Sequence, residues 1–161
     1  MVDVQILALT SGHDSKALAR IIREAADATL GHQAAPDGAS LCVVLTDDAE
    51  IQALNRQFRG IDAPTDVLSF AMQDESPEGQ GFVVAPEQDA EASAYLGDVI
   101  VSYPRAEAQA AEQGHGVLAE LRLLVVHGVL HLLGYDHATP QDRARMWAIQ
   151  DVVLERLRDD A

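Results

Sequence analysis

The stretch His127-Gly128-Val129-Leu130-His131-Leu132-Leu133-Gly134-Tyr135-Asp136-His137 carries three of the chain's six histidines, and its reading decides the rest. Four residues along a helix advance the chain by roughly 400° and about 6 Å, so His127 and His131 project from one face on successive turns. Two imidazoles placed this way can share one metal ion. Gly134 supplies a residue free to adopt the left-handed conformation that ends a helix, and the returning chain offers His137 three residues later. Three nitrogen ligands with a fourth position open make the arrangement of a catalytic metal site, whereas a structural zinc site is closed by four protein ligands. A lone histidine on an apolar helix is more often a core residue with one hydrogen bond. Here the glycine and the third histidine decide for ligation. Burial of the helix also favours neutral imidazoles, whose ring nitrogens are free to bind metal.

The spacing HxxxHxxGxxH is that of the metzincin proteases except at one position. In those enzymes the residue after the first histidine is a glutamate that acts as general base. Here it is Gly128. No other side chain of the motif replaces a carboxylate at that point of the helix, which argues against peptide hydrolysis by the zincin route.

At 161 residues and 48% hydrophobic composition, the chain is expected to form one globular domain, residues 1–161, around a single core. No basic and apolar leader opens it, and Glu120, Arg122 and two histidines interrupt the apolar run before Gly134. A soluble cytoplasmic protein without a membrane span is therefore expected. Cys42, the single cysteine, falls in a predicted buried strand and reads as a small core residue. Eleven basic residues against 26 acidic ones give a net charge of -15, the reverse of a nucleic-acid binder's usual balance. Contact with phosphate must then be made locally, by a few arginines grouped in space, and DNA is not an expected partner.

Taken in order, residues 2 to 9 read as a first strand and residues 15 to 30 as a helix closed by Gly31. LCVVL at 41 to 45 is a buried strand. Asp47 with Glu50 forms a capping box for a helix whose apolar stripe is Ile51, Leu54 and Phe58. Residues 64 to 70 begin with a turn and continue as a third strand. The acidic segment 72 to 94 reads as an exposed loop with a short hairpin arm at 82 to 84. Leu96 to Ser102 is a fourth strand, Pro104 to Gln113 a helix, and the histidine helix follows. Thr139 and Pro140 cap a last helix that carries Met146, Trp147, Ile149, Val152, Val153 and Leu157. Strands before residue 102 and helices after it predict an α+β fold, a small mixed four-stranded sheet covered by about five helices.

Three stretches together resemble the YbeY family, bacterial endoribonucleases of ribosomal RNA maturation. They are HGVLHLLGYDH, the segment from Leu54-Asn55 through Phe58-Arg59 to Pro64-Thr65-Asp66-Val67-Leu68-Ser69-Phe70, and Leu96-Gly97-Asp98-Val99-Ile100. They occur in the family's order and approximate spacing. The resemblance implies one zinc ion bound by His127, His131 and His137, with Arg59 and His127 as catalytic residues. It further implies cleavage of single-stranded RNA, maturation of the 3′ end of small-subunit ribosomal RNA, and a part in ribosome quality control. The implied partners are ribosomal RNA and the small subunit. Whether a ribosomal protein or an assembly GTPase presents the RNA is left open. Phe58 where the family often has tyrosine, Ala71 where proline commonly follows, and the longer segment 72 to 94 depart from the pattern.

Zinc held by three neutral histidines keeps its charge, so it can acidify water to a pKa of about 7 and polarise a phosphoryl oxygen. The sequence does not choose between that water and another nucleophile. Arg59 offers paired donors to phosphoryl oxygens. Its alternative, a solvent-facing arginine favoured by a helix C-terminus, is set aside only on the strength of the resemblance. Asp136 can be a proton carrier, a partner to a ligand histidine or a turn residue, and the local turn role is favoured. Asp66 and Asp98 are expected to cap backbone or orient a ligand histidine. His13, His32 and His115 read as surface residues. Two other functions compete: a zinc metalloprotease-like hydrolase, and a non-catalytic ribosome assembly factor with a structural metal whose acidity suits basic ribosomal proteins.

Overall fold

The structure, a computed structural model, describes residues 2–7, 14–35, 38–72 and 95–159. The most apolar run becomes β2 (Ser40–Thr46), buried at every residue after Ser40. It lies between β1 (Val2–Ile6) and β4 (Tyr95–Ser102) and runs parallel to both. Such a strand is covered on both faces, and its alternate side chains serve different layers. Leu41, Val43 and Leu45 join Val99 and Val101 in the larger core, while Cys42 and Val44 join Leu68 and Ile100 in the smaller one. β3 (Val67–Ala71) pairs antiparallel with β4, giving the order β1-β2-β4-β3. The sheet is thus mixed and four-stranded, and among the described residues five helices cover it, an α+β fold as expected.

α1 (Ser15–His32) starts at Asp14, whose carboxylate accepts the Lys16 N–H at 3.0 Å, and buries Leu18, Ile22, Ala25 and Ala26 in the larger core. α2 (Asp48–Arg59) packs against the smaller core through Ile51 and Leu54, with the Phe58 and Phe70 rings edge to face at 5.3 Å. The Asp47 carboxylate accepts the Glu50 N–H at 2.9 Å, the first half of the expected capping box. Gly60, at φ 72°, ends α2 in an αL closure, its N–H bonding back to the Arg56 carbonyl at 3.1 Å. α3 (Tyr103–Gln113) opens one residue before Pro104 because Ser102 serves as its cap. α4 (Val117–Leu132) is the histidine helix, and α5 (Pro140–Asp159) closes the larger core.

Several local readings change. β1 ends at Ile6, and residues 8–13, His13 among them, lie outside the described residues, as does the hairpin arm at 82–84. His115 is exposed as expected, yet its Nε2 lies 2.6 Å from the carboxylate of Glu120, which is buried. The buried stripe of α5 is Met146, Gln150, Val153 and Leu157, while Trp147 and Val152 are exposed. That spacing of four, three and four is a single helical face. No single described helix is long and apolar enough to cross a membrane.

Cys42 is buried, and burial first, then the charges of Asp98 and Asp3, push its thiol up to about 11. At pH 8 only about one such thiol in a thousand is ionised, against about one in four for an ordinary cysteine, and the thiolate is the nucleophile. Alkylation by iodoacetamide should therefore run at least about a hundredfold more slowly in the folded protein than in guanidinium. Equal rates in both would place Cys42 at the surface.

Candidate metal centre and cleft

α4 puts His127 and His131 one turn apart, with ring centroids separated by 4.7 Å and their Nε2 atoms by 3.2 Å. The chain then turns at Gly134, whose φ of 100° is closed to ordinary side chains, and the Tyr135 N–H bonds back to the Leu130 carbonyl at 3.0 Å. The Tyr135 hydroxyl donates to Gln33 at 2.6 Å and ties this turn to the end of α1. His137 returns to lie 5.7 Å from His127 and 5.2 Å from His131 between ring centroids. One donor nitrogen from each of the three rings lies within 4.8 Å of the others, a group that could hold a metal ion. Asp136 accepts the His137 N–H at 2.7 Å, which is the turn role.

The donor set fits a divalent cation of borderline softness. Burial, then the neighbouring rings of His127 and His137, pushes His131 down to about 4, and burial likewise lowers His127. Both rings therefore favour the neutral form at pH 7, the form that can bind a metal.

Gly128 explains the missing glutamate. A β-carbon there would stand 2.5 Å from Val99 Cγ1 and 3.2 Å from Ser69 Oγ, so this side of α4 lies directly on the sheet. The Ser69 hydroxyl donates to the Gly128 carbonyl at 3.1 Å and fastens the helix to β3. A carboxylate at position 128 has nowhere to go without lifting the helix off β4.

The three histidines open into a cleft of about 500 Å³, whose other residues include Arg59, Thr65, Asp66, Ser69 and Asp136. Arg59 is the last residue of α2, exposed, with no ion-pair partner among the described residues. Asp66 accepts the Val67 N–H at 2.8 Å and the Gln109 amide at 3.3 Å, so it caps the start of β3. Asp98 does not approach the histidines. It sits opposite Cys42 and Phe70 in the sheet register, on the face away from α4, and receives the Tyr95 hydroxyl.

Two neighbours of the centre were not read from the sequence. Gln150 lies 3.1 Å from Nδ1 of His127, and the Trp147 ring stands edge to face with His127 and His137 at 5.6 and 5.9 Å. The one available signal was an amide at the phase of α5's buried stripe.

The profile of the family described as endoribonuclease YbeY matches residues 6–158. The chain belongs to the YbeY family. An endoribonuclease YbeY of Chloroflexus aggregans is 48% identical over 140 residues, 86% of this chain and 87% of the relative. That of Geobacillus thermodenitrificans is 45% identical over 139 residues, 86% and 83% of the two chains. The YbeY of a Roseiflexus species is 43% identical over 157 residues, 97% and 92%. The solution structure of a Thermotoga maritima protein superposes with a TM-score of 0.62 at 27% identity, covering 99% of this chain and 91% of the other.

Proposed function

We propose that this chain is a zinc-dependent, single-strand-selective endoribonuclease, acting in the cytoplasm as a single domain on the maturing 3′ end of small-subunit ribosomal RNA and in ribosome quality control. The observation that carries this reading is the three-histidine group sharing one cleft with an exposed arginine that has no ion-pair partner among the described residues. The YbeY relatives add the reaction class.

His127, His131 and His137 would hold the ion, which supplies positive charge and Lewis acidity to a phosphodiester. Arg59 contributes a planar pair of donors to the non-bridging oxygens, where charge accumulates in phosphoryl transfer. Asp66 and Asp136 line the same cleft, yet each already accepts a backbone N–H. Neither is assigned the proton transfer. The packing of Gly128 on Val99 weighs against a protease, because the zincin base has no room there. The net charge of -15 repels free RNA over a Debye length of about 8 Å. This favours RNA presented on the small subunit, with a ribosomal protein or assembly GTPase as the positioning partner.

Arg59→Ala should retain one zinc per chain while its cleavage of an end-labelled single-stranded ribosomal RNA fragment falls about 100-fold, the scale for removing one transition-state donor. Full cleavage by Arg59→Ala would remove the arginine from the chemistry. No cleavage by wild type, even with small subunits added, would leave the assembly-factor reading in its place.

A further inference from the structure

Gln150 is a buried amide on an otherwise apolar face of α5, 23 residues from the histidine it touches. A buried primary amide without polar partners costs free energy, so its position in the stripe between Met146 and Val153 asks for a reason. Its Oε1 lies 3.1 Å from Nδ1 of His127. On the opposite side of that ring, Nε2 faces Nε2 of His131 at 3.2 Å. A neutral imidazole carries one proton on one of two nitrogens, and the nitrogen that lacks it is the one that can bind a metal. An acceptor oxygen at Nδ1 selects the Nδ1–H form and leaves the Nε2 lone pair directed at the histidine cluster.

We propose that Gln150 is a positioning residue that fixes the tautomer and orientation of His127 for metal binding. The inference rests on the metal reading given above and adds to it the means by which α5 sets up the ligand. An amide suits the task differently from a carboxylate: it holds the proton without adding negative charge to a site that must meet phosphate. Trp147, one turn before Gln150 on α5, packs edge to face with both His127 and His137 and restricts the same ring.

The test combines two readouts on wild type, Gln150→Leu and Gln150→Glu, each confirmed folded by its melting transition. Long-range ¹H–¹⁵N spectra of metal-free protein at pH 7.5 report the tautomer of His127, and competition with a chromogenic chelator reports zinc affinity. Wild type should show His127 as Nδ1–H. Gln150→Leu should move it toward the Nε2–H form and bind zinc about 10-fold or more weakly, the range for loss of a ligand's hydrogen-bond partner. Gln150→Glu keeps an acceptor oxygen and should keep both the tautomer and the affinity. A wild-type His127 in the Nε2–H form, or zinc binding by Gln150→Leu as tight as wild type, overturns the role of Gln150 while leaving the metal centre standing. Wild type that shows Nδ1–H yet takes up no zinc overturns the metal reading, and the positioning role falls with it.

Discussion

His131→Ala is expected to emerge from gel filtration without zinc and to cleave RNA at background. His131 is flanked by both other rings, with centroids 4.7 Å from His127 and 5.2 Å from His137, so its loss leaves two nitrogens that no longer surround one point. Two imidazoles hold a divalent ion far less tightly than three, and among the described residues the set has no fourth side chain to substitute. The fold should survive, because His131 contributes no hydrogen bond to the sheet and neither apolar core depends on it. Metal analysis, a cleavage assay and a melt of the same preparation separate the possibilities. One zinc per chain in the variant would dismiss this centre, whereas loss of zinc together with loss of the folded baseline would show that the ring is structural.

Gly97→Ala should lower stability by about 3 kcal/mol or more, with a melting temperature reduced by about 10 °C in a chain of this size. Two penalties act together. The backbone there has φ 139°, which L side chains rarely adopt, and an added β-carbon would stand 2.1 Å from the Phe70 carbonyl oxygen. That oxygen belongs to the neighbouring strand and cannot swing aside as a side-chain terminus would. Relief requires opening the ladder where Gly97 pairs with Ala71. The damage would reach the cleft, since β3 also carries Ser69, the residue fastened to the metal helix. A wild-type melting temperature would mean that β3 and β4 do not pair in this register.

The parts of the fold that could be read from the chain are those whose cause is local. The i, i+4 histidines, Gly134 and His137 define their own geometry, and Asp47 announces α2. β2 is apolar from Leu41 to Leu45 because both its faces are covered. Pairings made across the chain left little trace. Nothing near Asp98 indicates which sheet face it takes, since that follows from its register against Cys42 and Phe70. In α5 the apolar Trp147 and Val152 stay exposed. The helix instead turns the amide of Gln150 inward, where His127 receives it. A polar side chain inside a buried stripe breaks the expected pattern where function outweighs packing.

The three prospective ligands are held with unequal firmness. His127 and His131 stand on a helix fastened to the sheet by Ser69, whereas His137 is exposed and sits on the connection between α4 and α5, held locally by Asp136. The residence time of any ion bound here would therefore be set by the short connection rather than by the core. Uptake and release would then turn on how often one loop residue lets go, with the two helix-borne rings left in place for the next ion.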